Sequence, residues 1–165
     1  MDDVAWGPLP GAPGAEVRPA AAGDLPELVA LLADDDLGAA REDPGGDLAP
    51  YARALAAVDA DPAHLLVVVQ RGGDVVGTLQ LSFLPGLSHR GAWRAQIEAV
   101  RIRSDLRGSG FGRALLGWAL AEARRRGCRT VQLTSSSTRT GAHRFYERLG
   151  FVASHRGYKL ELRDT

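Results

Sequence analysis

The sequence has little that would cross-link the chain or hold a metal ion. Its 165 residues include one cysteine, Cys128, so a disulfide framework and a zinc site built on cysteines are both excluded. The four histidines lie far apart and lack the spacing of metal ligands, so we expect no metal. Neither a run of about 18 apolar residues nor a secretory signal occurs. We therefore expect a cytoplasmic protein that does not enter a membrane.

The sequence also lacks a net charge, because 20 Lys and Arg residues balance 20 Asp and Glu residues. Binding to nucleic acid depends on an excess of cations that displaces counterions from the phosphates. We therefore expect no nucleic-acid partner. A chain of 165 residues with 45% hydrophobic residues is typical of one globular domain with a sizeable core.

Glycine and proline are concentrated near the N-terminus. Residues 1–15 contain the stretch Gly-Pro-Leu-Pro-Gly-Ala-Pro-Gly, which has no periodicity and little apolar surface. We therefore expect a flexible arm over residues 1–15 and a single domain over residues 16–165.

The pattern of apolar residues in that domain predicts strands and helices in a definite order. Strands are predicted near residues 16–18, 65–69, 75–83, 93–103, 129–134, 151–152 and 158–162. Helical periodicity, with start and stop signals, predicts helices at about residues 25–32, 50–58, 110–126 and 140–149. This order indicates an α/β (α+β) fold, with a mixed central sheet of six to seven strands flanked by about four helices.

The strand at residues 93–103 changes which of its faces is apolar. Trp93, Ala95 and Ile97 are apolar at odd positions, whereas Val100 and Ile102 are apolar at even positions. A strand exchanges its buried face only where a residue is inserted or the backbone twists. The pattern therefore predicts a β-bulge at residues 98–100. The alternative is a regular strand that long arginine stems cover on both faces.

A glycine-rich turn, Arg-Gly-Ser-Gly-Phe-Gly at residues 107–112, lies between this strand and a long helix. Glycine lets a backbone approach a ligand closely, and the first helical turn offers unpaired N–H groups at the positive end of the dipole. The guanidinium of Arg107 adds a partner for phosphate oxygens. The turn is not a P-loop, because Gly112 is followed by Arg113. The dinucleotide motif needs a third glycine at that position and an acidic residue about twenty positions on, and both are missing.

The turn instead resembles the signature Gln/Arg-x-x-Gly-x-Gly/Ala of the Gcn5-related N-acetyltransferase (GNAT) family, whose fixed positions correspond to Arg107, Gly110 and Gly112. The sequence Phe-Tyr-Glu-Arg-Leu-Gly-Phe at residues 145–151 is similar to the closing signature of that family. The resemblance covers about residues 17–162 and implies a GNAT fold with a bulged, splayed central strand. Within the family, the chain is most similar to aminoalkylphosphonate N-acetyltransferases.

The resemblance implies an N-acetyltransferase that uses acetyl-coenzyme A as its acetyl donor. The donor's pyrophosphate would bind the glycine turn, formed by Arg107, Gly108, Ser109, Gly110, Phe111 and Gly112. Its pantetheine arm would pair, as an extra strand does, with Val100, Arg101 and Ile102. Many family members hold the pantetheine with an asparagine before the last helix, but residues 135–139 read Ser-Ser-Ser-Thr-Arg and contain none.

Two residues are candidates for the proton transfers of an amine acetylation. Tyr146 matches the tyrosine that commonly donates a proton to the departing thiolate in this family. The alternative is a core aromatic, since it shares a helical face with Phe145 and Leu149. Glu98, at the predicted bulge, is the candidate base, directly or through water. Its alternative role is an ion pair with Arg94 or with another arginine of the sheet.

The acceptor is less well defined by the sequence. The candidate substrate-binding residues are Gln96, His89, Arg90 and Trp93. The resemblance to aminoalkylphosphonate N-acetyltransferases implies a small, anionic amine near His89 and Arg90. The acidic loop at residues 34–47 would instead suit a polyamine or an aminoglycoside. We expect transfer to a primary amine of a small molecule. The alternatives are acetylation of a protein lysine or N-terminus, and a non-catalytic acyl-coenzyme A sensor. An edge strand near the C-terminus would suit a homodimer.

Overall fold

The computed structural model describes residues 4–162, and the chain forms two compact units that divide between Gln132 and Leu133. The helices are α1 (Leu25–Ala33), α2 (Asp36–Ala39), α3 (Ala49–Asp59), α4 (Ser88–Gly91), α5 (Phe111–Arg125) and α6 (Thr140–Arg148). The strands are β1 (Gly7–Pro8), β2 (Ala15–Pro19), β3 (His64–Arg71), β4 (Asp74–Leu84), β5 (Arg94–Ile102) and β6 (Thr130–Leu133). The predicted α/β class with a mixed sheet is confirmed.

The six strands form one sheet in the order β1-β2-β3-β4-β5-β6. Strands β1 to β5 pair with their neighbours in antiparallel fashion. At β6, the N–H of Arg129 donates to the carbonyl of Trp93 at 2.8 Å. Further along both strands, the side chain of Gln132 donates to that of Gln96 at 2.7 Å. Since both contacts advance in the same direction, β6 is parallel to β5, as a strand that follows a crossover helix is expected to be.

Helices cover both faces of the sheet. α5 packs on β4 and β5, and Arg126 at its end lies 4.1 Å from the centre of the Phe83 ring. α1 packs on β4 and β5, and α3 packs on β3. These two helices lie on the face that carries Thr78 and Gln80. Because odd and even residues of a strand point to opposite faces, α5 lies on one side of the sheet, and α1 and α3 lie on the other.

The N-terminal segment packs on the domain instead of forming a free arm. β1 pairs with β2, and Leu9 is buried. Trp6 stacks on Trp118 of α5 with ring centroids 5.8 Å apart, and the Trp118 indole donates to a carbonyl of the same segment at 2.9 Å. The prediction of a flexible arm is therefore wrong for residues 4–15, because β1 pairs with β2 and Trp6 stacks on α5. Residues 1–3 lie outside the described residues.

The predicted closing strands are absent from the described part of the chain. Residues 151–162 contain neither helix nor strand, so both strands predicted there are wrong. Tyr158, Leu160 and Leu162 keep the alternation of a strand but are 89%, 86% and 89% exposed. Alternation produces a strand only where a neighbour supplies hydrogen bonds. The sheet reaches six strands through β1 instead, and the homodimer that we expected from this region stays a prediction.

Asp24 holds the start of α1 against the sheet. Its carboxylate accepts hydrogen bonds from the guanidinium of Arg18 at 2.7 and 2.8 Å, and from the N–H of Ala21 at 2.8 Å. The hydrogen bonds from Arg18 are the main cause that lowers the pKa of Asp24 below its ordinary value. The start of α1 is thus held to β2 by the carboxylate of Asp24, which must stay ionised to do so.

Replacing Asp24 by Asn is expected to lower the free energy of unfolding by about 1–3 kcal/mol at neutral pH. A carboxyl whose pKa is lowered by folding stabilises the protein above its unfolded-state pKa. That contribution disappears as the pH falls through the lower native pKa. Urea unfolding should therefore show the gap between wild type and Asp24→Asn narrowing below about pH 4. Asp59→Asn, at an exposed position of α3, should have little effect at any pH. Equal losses in both variants would contradict the expectation.

Candidate active site

β5 contains the predicted bulge. In its register with β4, Glu98 stands opposite Gln80, and the next pair is Arg101 opposite Thr78. Ala99 and Val100 therefore share a single residue, Leu79, across the strands, which is the arrangement of a β-bulge. Ala99 has a φ of 52°, in the left-handed region that non-glycine residues rarely adopt. The bulge is confirmed, and the alternative of a regular strand is excluded.

Beyond the bulge, β5 continues past the end of β6. The two contacts between these strands set their register and place Gln132 level with Gln96. β6 ends one residue after Gln132, whereas β5 runs on to Ile102. Among the strands of the described residues, none therefore lies beside this edge of β5 from the bulge onward. Backbone groups on that edge have room for an extended ligand.

Arginine side chains hold two carbonyl groups of this part of β5. Arg101 Nη1 donates to the carbonyl of Val100 at 2.9 Å, and Arg107 Nε donates to the carbonyl of Ile102 at 3.1 Å. Val100 and Ile102 are two residues apart, so their backbone groups face the same edge. Arg107 thereby ties the glycine turn to the end of β5. The strand and the turn form one continuous backbone surface.

The glycine turn leads directly into α5. Gly108 and Gly110 have φ values of 82° and 96°, which glycine adopts without steric cost, and Gly110 is the N-terminal cap of α5. No side chain of the described residues bonds to this helix start as a cap. The first N–H groups of a helix, here those of Phe111, Gly112 and Arg113, have no partner within it. These groups and the dipole of a 15-residue helix fit a phosphate group.

The side chain of Arg107 is engaged with the loop after α1. Its Nη2 donates to the carboxylate of Asp34 at 2.9 Å and also to the Asp34 carbonyl. The same carboxylate accepts from the N–H of Ser104 at 2.9 Å. Arg101 lies 3.7 Å from Asp35. Nε and Nη2 of Arg107 are thus occupied, which leaves the backbone of the turn and Arg107 Nη1 to meet a phosphate. These contacts also occupy the carboxylates of Asp34 and Asp35, two acids of the loop that would suit a polyamine. The role of Arg107 in cofactor binding stays a prediction.

Glu98 and Gln96 lie on the same face of β5. Glu98 is exposed, and among the described residues its carboxylate has no hydrogen bond and no ion pair. The alternative, an ion pair with Arg94 or with another arginine of the sheet, is therefore not formed among the described residues. Gln96 accepts a hydrogen bond from Gln132 at 2.7 Å, so its amide is held in place beside the bulge. A carboxylate without a partner is available to accept a proton.

The predicted substrate residues of the β4–β5 connection lie at the other end of β5. His89 and Arg90 are exposed and have φ values of 54° and 62°, and Trp93 is 44% exposed. At about 3.3 Å per residue, the stretch from Arg94 to Ala99 separates them from the bulge by roughly 16 Å. The structure does not bring them next to the candidate base. Only an acceptor that extends along β5 would reach both.

Tyr146 lies on α6, in the second unit. Its ring is half-buried, and its centroid is 5.3 Å from that of Phe145 and 5.9 Å from that of Phe151. The edge-on contact with Phe151 restricts the orientation of the ring. Packing against Phe145 agrees with the alternative, in which Tyr146 is a core aromatic. A packed ring does not prevent the Tyr146 hydroxyl from donating a proton. The role of Tyr146 as a proton donor stays a prediction.

Comparison with known proteins decides the family. The model of the acetyltransferase (GNAT) family matches residues 26–151, the greater part of the chain. The chain belongs to this GNAT family.

Several relatives of this GNAT protein are known. An aminoalkylphosphonate N-acetyltransferase from Salmonella typhimurium is 36% identical over 95 residues, which are 58% of this chain and 61% of that protein. A glucosamine 6-phosphate N-acetyltransferase from Trypanosoma brucei brucei is 36% identical over 93 residues, 56% of this chain and 61% of that protein. The matches thus span about three-fifths of these curated relatives. The crystal structure of a transcriptional regulator from Bacillus halodurans C-125 has 43% identity and a TM-score of 0.85, covering 90% of this chain and 99% of that chain.

Two contacts at the site of this GNAT protein are not predictable from local sequence. Arg107 and Asp34 are 73 positions apart, and Gln132 and Gln96 are 36 positions apart. The run of three aspartates at residues 34–36 is the only local signal of the first contact, and an acidic run is usually just solvated. No pattern marks the second contact.

Clustered metal ligands and long apolar helices are both missing from residues 4–162. No group of three or more His, Cys, Asp or Glu side chains is placed to hold a metal ion there. No helix in the same residues is long and apolar enough to cross a membrane. Burial raises the pKa of the Cys128 thiol. The thiol is therefore protonated at neutral pH and is not an activated nucleophile.

Proposed function

We propose that this GNAT protein transfers an acetyl group from acetyl-coenzyme A to a primary amine of a small molecule. One observation carries the proposal: β5 runs past the end of β6, through a bulge, and into a glycine turn that caps α5. That sequence of elements offers an open strand edge followed by a phosphate-binding helix start. We also propose that the protein is located in the cytoplasm.

The donor would bind along this continuous surface. Its pyrophosphate would accept hydrogen bonds from the N–H groups at the start of α5, around Gly110 and Gly112. Its pantetheine arm would lie against the edge of β5 at Val100 and Ile102. The support for this assignment is that β6 ends before the bulge, and that the helix start carries no capping side chain from the described residues.

Glu98 and Tyr146 would carry the proton transfers. The amine nitrogen attacks the thioester carbonyl carbon, a C–N bond forms, the C–S bond breaks, and the thiolate leaves. Glu98 accepts the proton that the amine loses, for which its unpaired, exposed carboxylate is suited. Tyr146 donates a proton to the thiolate. A backbone N–H at the bulge would stabilise the negative charge on the carbonyl oxygen, and Gln96 would help to orient the amine.

A non-catalytic sensor of acyl-coenzyme A is the second candidate. The transcriptional regulator from Bacillus halodurans, at 43% identity and a TM-score of 0.85, favours it. The unpaired carboxylate of Glu98 beside the bulge favours an enzyme instead, because a sensor has no need of a base there. An enzyme would release free thiol in repeated turnover, and a sensor would not. Both would bind the donor.

Release of free thiol from acetyl-coenzyme A, measured against a panel of small amines and of peptides, tests the proposal. We expect turnover on small amines, and we expect Tyr146→Phe to lower kcat by about tenfold. The effect is moderate because a thiolate leaves without full protonation. Tyr158→Phe removes a hydroxyl from an 89% exposed ring and should leave kcat unchanged. Activity on peptides alone would exclude a small-molecule acceptor. Donor binding without turnover on any amine would support the sensor.

A further inference from the structure

We propose that the acceptor amine places an apolar group, of about the size of a benzene ring, in a cavity between α1, α3 and the sheet. This inference rests on the proposed function and names the substrate class of the same site. The cavity has a volume of about 150 Å³ and reaches from Leu25 and Leu28 on α1 to Leu55 on α3, with Gln80 and Ala99 on the sheet side. It therefore adjoins the bulge.

The cavity is lined almost wholly by apolar side chains. None of its lining residues is charged. Two of its polar side chains are already satisfied: the Tyr51 hydroxyl donates to Glu42 at 2.8 Å, and the Thr78 hydroxyl donates to the carbonyl of Val67 at 2.8 Å. The third, Gln80, has no hydrogen-bond partner among the described residues. Its amide is free to hold a polar group of a ligand at the sheet end of the cavity.

The position of the cavity matches the requirements of the acceptor. Gln80 stands directly across from Glu98 in the register of β4 and β5, so the two side chains point to the same face. The amine must approach the thioester on the face of its base, because Glu98 accepts its proton. Ala99, which lines the cavity, is the first bulge residue. An amine beside Glu98 therefore directs its remaining atoms between α1 and α3.

The size of the cavity limits what fits. An apolar protein cavity of about 150 Å³ stays dry and admits benzene. Here the walls are not closed, since Ala54 is exposed and Leu66 and Gln80 are half-buried, so a ligand has a route of entry. A phosphonate or phosphate in this space would lose its hydration without gaining a cationic partner, which is strongly unfavourable. The group in the cavity is therefore neutral and apolar.

The wild-type enzyme tests this with a graded series of acceptors. We expect kcat/KM to rise about fourfold with each methylene from ethylamine to butylamine, and to be highest for benzylamine. Naphthylmethylamine should fall well below benzylamine. Aminomethylphosphonate should be at least tenfold poorer than butylamine. A flat series, or preference for the phosphonate, would overturn the inference while leaving acetyl transfer to amines intact.

A substitution in the cavity tests whether the amine itself occupies that space. Ala54→Leu fills space on α3, and Ala57→Leu adds the same side chain at an exposed position outside the cavity lining. We expect Ala54→Leu to lower kcat/KM for benzylamine at least tenfold, with little change for ethylamine or for the KM of acetyl-coenzyme A. Ala57→Leu should behave as wild type. If Ala54→Leu instead impairs butyryl-coenzyme A and spares every amine, the cavity holds the acyl chain and the inference is wrong.

A binding measurement covers the case in which no amine is acetylated. Calorimetry of the wild-type protein with benzylamine and with aminomethylphosphonate, in the presence of coenzyme A, reports occupancy without turnover. Tighter binding of benzylamine, lost in Ala54→Leu, would support the cavity even if the proposed activity fails. No difference between the two amines would exclude it.

Discussion

Replacing Glu98 by Gln is expected to lower kcat by about a hundredfold or more at neutral pH, while the KM of the donor stays nearly constant. A primary amine with a pKa near 10.4 is almost fully protonated at pH 7. Removal of its proton by a positioned base typically contributes about 10²–10⁴ in rate. The amide of Gln keeps the size and polarity of the side chain and cannot accept that proton.

The structure makes Glu98 a clean position for this experiment. Its carboxylate is exposed and makes no hydrogen bond or ion pair with any described residue, so its replacement removes no structural contact. The loss of rate should therefore appear without a change in thermal stability. It should also shrink as the pH rises toward 10, because the free amine then forms without a base.

Glu16→Gln provides the matched control, since it removes an exposed carboxylate from β2 of the same sheet. We expect wild-type kinetics for it. Steady-state thiol release between pH 6 and pH 10 measures both variants. A Glu98→Gln enzyme with wild-type kcat at every pH would show that solvent, or another group, deprotonates the amine.

Replacing Gly110 by Val is expected to raise the KM of acetyl-coenzyme A by about ten- to a hundredfold. Gly110 has a φ of 96°, a conformation in which a β-branched residue is strained by about 1–3 kcal/mol. A Cβ at this position would lie 3.7 Å from the carbonyl of Gly11, an ordinary contact. The cost therefore comes from the backbone conformation and not from a clash. Relief of that strain rotates the N–H groups at the start of α5 away from the donor.

Gly117→Ala is the control on the same helix. Gly117 is exposed in the middle of α5 and nothing lies near an added Cβ among the described residues. The substitution should therefore leave the donor's KM unchanged and stabilise the helix by up to about 1 kcal/mol. Calorimetric titration with coenzyme A measures donor affinity directly, and thermal unfolding verifies that each variant is folded. Gly110→Ala, with a smaller side chain, serves if the valine variant is unstable. A folded Gly110 variant with wild-type donor affinity would contradict the assignment of the phosphate site.

The features that local sequence predicted correctly are those whose cause lies within a few residues. The change of phase around Glu98 predicted the bulge, because side-chain alternation reports directly on which face a strand buries. The glycines of the turn predicted the start of α5, because φ values near 82° and 96° are open mainly to glycine.

The features that local sequence missed depend on a partner elsewhere in the chain. Residues 4–15 are rich in glycine and proline, and their packing rests on Trp6 meeting Trp118. The alternating apolar residues near Leu160 predicted a strand, but the described residues show no pairing there. In both cases the composition of the segment permits more than one structure. Contacts with another segment of the chain decide which structure forms.

The sequence by itself determined the class of fold, the bulge in β5 and the glycine turn before α5, since each depends on periodicity or on backbone freedom within one segment. Only the tertiary structure decided that Asp34 binds Arg107, 73 positions away, and that Gln80 and Ala99 meet two helices around an apolar cavity. Contacts between distant segments are selected by packing and by the pairing of charges. No local pattern records them, which is why the glycine turn could be predicted from the sequence and the cavity could not.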